Sequence, residues 1–304
     1  MTQKRPTKAV ITAAGFGTRF LPQTKAMPKE MLPLVDKPII QYVIEELVAA
    51  GIKDIILVTS HSSSKRSIED HFDYPNADLI TNIRAGGPKK EPLLKEVEAV
   101  AEMANFVYVR QKGGYGNARP LVNVQHLIDD EPFIYVFPDD LIMAEPNCFQ
   151  QMIEYYEKYD ASILSCIPVE TDKDYDQYGM IGGEQIEAGV VKMNAITEKP
   201  GRANAPSNLA VVGGYLFKPD VFDYLERAES QLKEGEELYV APVVQLMVDE
   251  GKPFYGCEIK GSTYYPTGDK LEYLRSVVEF ALKRDDIGPA FRKFLEEKIC
   301  EHKQ

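Results

Sequence analysis

The sequence predicts an α/β fold, a Rossmann-like mixed and largely parallel central sheet covered by helices. Three observations predict it. Short apolar, β-branched runs alternate with helix-period segments through the first half of the chain. The first run, Lys8 to Ala14, leads straight into Gly15-x-Gly17, a strand-to-turn junction whose backbone N–H groups point above the sheet. A later run from Phe133 ends in two carboxylates, Asp139 and Asp140. Open sheets bind ligands beyond the carboxyl ends of their strands, where Gly15, Gln111 and Asp139 all fall.

In chain order, Ala9 to Ala13 is apolar and β-branched at strand length. Ile39 to Ala50 follows a helical pattern. Ile55 to Thr59 is a strand, followed by helical patterns over Lys65 to Phe72 and Leu93 to Ala104. Between those helices, Tyr74 to Glu91 carries Pro, Gly and Asn and reads as an exposed loop, mobile or reaching a neighbouring subunit. Phe106 to Arg110 and Phe133 to Val136 are strands with a helix over Asn117 to Leu127 between them. Cys148 to Lys158 is helical, and Ser162 to Ile167 returns to the sheet. Beyond Tyr175 the texture turns Gly-rich and β-branched, with mixed-sheet strands at Met180 to Gly183, Val190 to Thr197 and Leu209 to Phe217. Helices from Val221, Tyr239 and Lys270 and a strand at Phe254 to Ile259 complete the chain.

With 304 residues, 44% hydrophobic and 27% charged, the chain can bury a large core as one domain. It has no stretch of eighteen apolar residues and no hydrophobic leader, so a soluble, cytoplasmic protein without membrane partners is expected. Cys148, Cys166, Cys257 and Cys300 lack Cys-x-x-Cys spacing, which argues against a zinc site and gives no reason for disulfides. The net charge of −12 argues against nucleic acid as a partner, because binding a phosphate backbone needs a cationic face. An anionic substrate would be met locally, by Arg19, Lys29 and Lys199. None of His61, His71, His126 and His302 sits in a triad or metal spacing.

The segment from Lys8 to Val35 carries the most chemistry. Small residues at Ala13 and Ala14 would let a flat base lie close to the main chain, while Thr18, Arg19 and Lys29 add a hydroxyl, a planar cation and a mobile cation. A dinucleotide turn is the first alternative, since Gly15-x-Gly17 opens like G-x-G-x-x-G and Asp36 lies about twenty residues on. Phe20 stands where the third glycine belongs, and Pro22, Pro28 and Pro33 forbid the long helix that should follow. A kinase-type P-loop would need Gly-Lys-Ser/Thr, which is absent. A bland structural turn explains the glycines but not Arg19 and Lys29.

Gly15-Phe16-Gly17-Thr18-Arg19-Phe20-Leu21-Pro22, then Thr24 and Pro28-Lys29-Glu30-Met31-Leu32-Pro33, resembles the signature of the sugar-1-phosphate nucleotidyltransferases. The continuation Val35-Asp36-Lys37-Pro38-Ile39-Ile40-Gln41-Tyr42 is most similar to bacterial members that use UTP and glucose 1-phosphate, and the likeness runs from about Lys8 to about Gly288. The resemblance implies one nucleotidyltransferase domain over 1–304. Its nucleotide half spans about 1–145, its sugar-phosphate half about 146–260, and C-terminal helices fill about 261–304. It also implies Mg²⁺ as cofactor and a homodimer or homotetramer.

Two further clusters take their roles from this resemblance. Taken alone, Pro-Asp-Asp after an apolar strand is more often a capped turn, although its oxygens suit Mg²⁺ bridged to nucleotide phosphates. The family motif makes Asp139 the metal ligand and leaves Asp140 to orient the loop or a ligand water. In Ile196-Thr197-Glu198-Lys199-Pro200, a lone Glu-Lys pair is usually a solvated strand end. Here the resemblance assigns Lys199 to the sugar phosphate, Glu198 to the hexose, and the backbone at Gly179 and Gly213 to close sugar packing. Gln111 resembles the residue that reads the pyrimidine edge, with Gly116 against the base. Arg19, Lys29, Asp139 and Lys199 are thus the expected catalytic set, and Ala13, Ala14, Gly15, Gly17, Thr18, Gln111 and Gly116 the expected nucleotide site.

Three departures from the family pattern stand out. The loop after Gln111-Lys112 reads Gly113-Gly114-Tyr115-Gly116-Asn117-Ala118 where the family has Leu-Gly-His-Ala. Pro266, in Tyr265-Pro266-Thr267-Gly268-Asp269, stands where a second metal carboxylate is common, leaving Asp269 as its substitute or Asp139 as the sole protein ligand. Glu237-Leu238-Tyr239-Val240-Ala241-Pro242 replaces a segment that carries Thr-Asp. A dTTP-using thymidylyltransferase and a catalytically weak, nucleotide-sugar-binding regulator therefore remain as alternatives.

Overall fold

A computed structural model describes residues 3–301; His302 lies outside them. The first half of the chain runs through β1 (Lys8–Ala13), the short hairpin β2 (Pro33–Leu34) and β3 (Lys37–Pro38), α1 (Ile39–Ala49) and β4 (Asp54–Thr59). It continues with α2 (Arg66–Phe72), α3 (Ala77–Ala85), α4 (Glu91–Glu102), β5 (Asn105–Arg110), α5 (Arg119–Val122), α6 (Gln125–Ile128), β6 (Phe133–Val136) and β7 (Asp140–Met143). The second half comprises α7 (Cys148–Tyr159), β8 (Ser162–Pro168), α8 (Asp172–Tyr175), β9 (Gly179–Glu187), β10 (Val190–Glu198) and β11 (Leu209–Phe217). It ends with α9 (Val221–Gln231), α10 (Val240–Asp249), β12 (Phe254–Glu258), β13 (Thr263–Pro266), α11 (Lys270–Lys283) and α12 (Gly288–Glu301).

Nine strands form one sheet in the order β5-β4-β1-β6-β11-β8-β12-β10-β9. Pairing is parallel from β5 through β6, as helical crossovers require. It turns antiparallel at β11, which pairs with β6 on one side and β8 on the other. The hairpin β9–β10 extends the far edge, and β9 curls back to touch β11. The expected mixed sheet is present, with its parallel character concentrated in the first half.

Each strand feeds two cores through its period of two. On β1, Ala9, Ile11 and Ala13 point into the core beneath α1 and α7, while Val10 points into the core beneath α9 and α10. On β6, Ile134 and Val136 join the first core and Phe133 and Tyr135 the second. Burying each such Ile, Val or Phe contributes about 1.5–3 kcal/mol, so the middle strands are heavily over-determined and their carboxyl ends sit on a rigid base.

Two expected elements differ. Tyr74 to Glu91 is not a plain loop: Asn76 caps α3 through a 2.9 Å bond from the Leu79 N–H to its Oδ1, and Gly86 ends the helix. Pro92 then sits in the first turn of α4, so the Pro, Gly and Asn act as helix punctuation. The helix expected over Asn117 to Leu127 is split in two. Asn123 spends its side chain on the Lys112 N–H and on the carbonyls of Lys112 and Arg119, which competes with helical bonding between α5 and α6.

Cys148, Cys166 and Cys257 are buried free thiols and Cys300 is exposed. Burial pushes the Cys148 thiol up to about 12. Among the described residues no helix is long and apolar enough to cross a membrane.

One carboxyl in α1 is held against its preference. Burial, then the neighbouring Glu145 and Glu45, push Glu46 up to about 7 from 4.5, and its Oε2 has no hydrogen-bond partner. A folded-state pKa raised this way binds a proton that the unfolded chain has released, so stability falls as pH rises from about 4.5 through about 7. Glu46→Gln is therefore expected to raise the melting temperature at pH 8, on the order of 2 °C after discounting for partial exposure. At pH 4 it should give no gain, and thermal unfolding at the two pH values checks this.

Candidate active site

The Ala14 to Gly17 turn leaves β1 at the middle of the sheet. Gly17 has φ +64, and a Cβ there would lie 3.1 Å from Thr24 Cγ2 and 3.2 Å from Lys29 Cβ. The Thr24 hydroxyl donates to the Gly17 carbonyl at 2.7 Å, locking the turn. Three short 3-10 turns, Thr18–Phe20, Gln23–Lys25 and Lys29–Met31, follow in place of a long helix, as Pro22, Pro28 and Pro33 dictate.

The last of these turns delivers Lys29 to Asp139 across the end of β6, with Nζ 2.6 Å from Oδ2. Burial disfavours both charges, but each stabilises the other. Asp139 and then Glu30 hold Lys29 above the usual lysine value, and Lys29, with help from Arg19, holds Asp139 below the usual carboxylate range. The Asp139 carbonyl accepts from the Thr267 N–H at 3.1 Å and its hydroxyl at 2.9 Å, which fixes this residue to the stretch after β13. Burial and the Asp139 charge push neighbouring Asp140 up to about 7. Asp140 accepts a 2.6 Å bond from the Tyr264 hydroxyl, which lies 3.0 Å from that of Tyr178.

Behind Lys29 lies a second ion pair, Lys65 Nζ to Glu30 Oε2 at 2.8 Å, with side chains 3% and 0% exposed. Glu30 Oε1 is buried without a partner. Removing either partner would strand a charge, so the pair holds the Lys29 turn against the start of α2.

Two cavities meet at Asp139 and Lys199. The first, about 410 Å³, is lined by Thr12, Ala14, Gly15, Lys29, Gln111 and Gly116 among others. The second, about 270 Å³, is bounded by Arg19, Asp140, Tyr178, Tyr264, Gly268 and Asp269. Lys199 stands between them with φ +46, its N–H bonded to the Tyr178 carbonyl at 3.1 Å and its Nζ 3.5 Å from Glu198 Oε1. A left-handed lysine aimed at the seam of two cavities is a strained placement of the kind found at functional sites.

Most of the residues singled out from sequence converge here, with four qualifications. Ala13 is 0% exposed with its side chain in the core, because only Thr12 and Ala14 share the open face of β1. Thr18 lines a separate cavity with Thr24, Ser60 and Lys65 on the other side of the glycine turn. Gly213 lies inside a bulge of β11, where a Cβ would come 2.9 Å from Ile142, so it shapes the strand beneath the site and does not border either cavity. Asp269 caps α11, its Oδ1 accepting from the Leu271 and Glu272 N–H groups and its Oδ2 pairing with Lys173 at 3.1 Å. Its oxygens are already committed. Gly179 does lie beside Glu198, which lines the first cavity: a Cβ there would be 3.2 Å from Glu198 Oε2.

One wall is built from segments that no local motif links. The Leu238 N–H donates to the Tyr115 carbonyl at 3.0 Å, the Ala118 N–H to the Leu238 carbonyl at 3.0 Å, and the Val240 N–H to Asn117 Oδ1 at 2.8 Å. Gly116 nests against Leu238, and Glu237 and Tyr239 line the first cavity. Two segments that each depart from the family pattern are thus one structural unit. Their joint departure was the available signal.

Among the described residues no three His, Cys, Asp or Glu side chains form a preformed metal cage. Asp139, one carboxylate at the junction of two cavities, could hold a hard divalent ion, whose remaining ligands would be oxygens from outside the protein.

A profile of the nucleotidyl transferase family matches residues 8–284. The chain belongs to that family. It is 40% identical over 293 residues to the UTP–glucose-1-phosphate uridylyltransferase of Bacillus subtilis, covering 96% of this chain and 97% of that one. Identity to UTP–glucose-1-phosphate uridylyltransferase 1 of Staphylococcus saprophyticus is also 40%, over 288 residues, covering 95% and 97%. Among solved structures, a UDP-glucose pyrophosphorylase complexed with UDP-glucose superposes with TM-score 0.80 at 36% identity, covering 92% of this chain and all of the other. A UTP-bound enzyme from Acinetobacter baumannii superposes with TM-score 0.84 at 32% identity, covering 96% and 99%. The nucleotidyl transferase family typically uses a divalent metal.

The Gly116 contact makes the joined wall testable. Its φ is +112 and a Cβ would fall 2.1 Å from the Leu238 carbonyl oxygen, whereas Gly51, at φ +95, has nothing within 4 Å. Gly51→Ala is expected to cost about 1 kcal/mol from backbone strain alone and Gly116→Ala at least about 3 kcal/mol, compared by denaturant unfolding.

Proposed function

We propose that this protein transfers the uridylyl group of UTP to α-D-glucose 1-phosphate, giving UDP-glucose and pyrophosphate with Mg²⁺ as the metal. The observation that carries the reading is the meeting of two cavities at Asp139 and Lys199, with Lys29 and Arg19 on either side. The names of its relatives point to the same substrates.

The nucleotide lies in the first cavity, its base over Ala14 and Gly15 with its edge at Gln111 and Gly116. The hexose phosphate enters from the second, with Lys199 on the phosphate and Glu198, on the wall of the first cavity beside the seam, toward the sugar hydroxyls. A phosphate oxygen of glucose 1-phosphate forms the new bond to the α-phosphorus of UTP as the bond to the β-phosphate oxygen breaks, and that electron pair leaves with pyrophosphate. The nucleophile is already ionised near neutral pH, so no residue need act as general base. Catalysis then consists of positioning and charge neutralisation. Lys199 presents the nucleophile, and Lys29 and Arg19 stabilise charge on the departing pyrophosphate. When bound, Mg²⁺ held by Asp139 would neutralise the α-phosphate.

We read the whole chain as one working domain, a homodimer or homotetramer in the cytoplasm. Exposed Leu271, Leu274, Phe294 and Ile299 on α11 and α12 support the assembly.

Pro266 and the committed carboxylate of Asp269 favour a second reading, a regulator that binds nucleotide sugar with little turnover. Pyrophosphate release from glucose 1-phosphate with UTP, dTTP, ATP, CTP and GTP, with and without Mg²⁺, decides. The fastest release is expected with UTP, and none without the metal. Preference for dTTP would change the substrate, and UDP-glucose binding without turnover would install the regulator.

A further inference from the structure

Two large aromatic side chains stand at the mouth of the first cavity, and nothing in the folded chain shelters them. Phe16 follows Gly15 and is 63% exposed; Tyr115 precedes Gly116 and is 62% exposed. Their ring centroids lie 6.4 Å apart at an interplanar angle of 57°, and both rings border the cavity that Ala14, Gln111 and Gly116 also line.

Their backbones are not free loop tips. Thr24 ties down the Phe16 side through Gly17, and Leu238 ties down the Tyr115 side through the Tyr115 carbonyl and the close packing of Gly116. Two rings left in water on anchored backbones gain nothing for folding, since their apolar area stays exposed. Placed against a flat ligand, the same area is buried without new ordering of the main chain.

We infer that Phe16 and Tyr115 form an aromatic clamp over the nucleobase of the bound nucleotide. The inference deepens the proposed function and rests on its nucleoside triphosphate substrate. The main chain at Ala14 and Gly15 forms the floor, Gln111 meets the base edge, and the two rings close the outer side. Aromatic faces accept any base, so the clamp adds affinity without choosing between UTP and dTTP. That choice falls to contacts with the C5 methyl and the 2′-hydroxyl, the two groups by which UTP and dTTP differ.

The chain contains no tryptophan, so Tyr115→Trp creates a single emission reporter. Titration of this variant with UTP is expected to change its emission, whereas inorganic tripolyphosphate, which has no base, should not. Tyr115→Ala is expected to raise KM for UTP and for dTTP alike by about tenfold, about 1.4 kcal/mol, with a much smaller effect on kcat. Tyr115→Phe should recover most of that loss. Equal responses to UTP and tripolyphosphate, no response to either, or an unchanged KM in Tyr115→Ala would overturn the clamp. Lack of turnover in the unaltered protein would sink the enzyme reading alone, because the emission titration still reports whether a base lies against the ring.

Discussion

The ion pair between Lys29 and Asp139 ties the turn system after β1 to the carboxyl end of β6. Lys29 comes from the turn system that follows β1, and Asp139 from the end of β6, anchored in turn by Thr267 after β13. Each charge is disfavoured by burial and kept by the other. With Asp139 engaged by a metal and Lys29 by phosphate, incoming ligands would replace each partner by a group of the same charge sign. The pair therefore holds the geometry of a charged site while that site is empty of substrate, at the modest cost of a partly buried ion pair.

Around this pair the molecule spends rigidity unevenly. The floor is made of strands buried on both faces, and the buried Glu30–Lys65 pair props the Lys29 turn from behind. The rim is different. The Gly113 to Ala118 loop and the Glu237 to Val240 segment are clasped to each other, so a change in one transmits to the other. This wall is a unit separate from the turn and the strand end that carry Lys29 and Asp139.

Much of this was legible in the chain. Gly15, Gly17, Lys29, Asp139 and Lys199 each belong to a compact local motif at a strand end, and local motifs survive without knowledge of the fold. The parity of a strand does not, and placing Ala13 beside the base confused the core face of β1 with its open face. Asp269 lies close to Pro266, but an Asp before Lys-Leu-Glu-Tyr-Leu also reads as a helix cap, and capping is what the structure shows. The bond from Val240 to Asn117 spans 123 residues, and no local pattern announces a contact of that range.

The proposed reaction depends on Asp139 as the carboxylate at which both substrates are brought together, and Asp139→Asn tests this most directly. The replacement keeps the main-chain anchor to Thr267 and leaves Lys29 near Glu30. Steady-state pyrophosphate release from UTP and glucose 1-phosphate, measured beside thermal unfolding, is expected to fall by at least about a thousandfold while the variant stays folded. A folded Asp139→Asn protein whose turnover lies within about tenfold of the unaltered enzyme would contradict the account, because an effect that small is what an indirect contact produces.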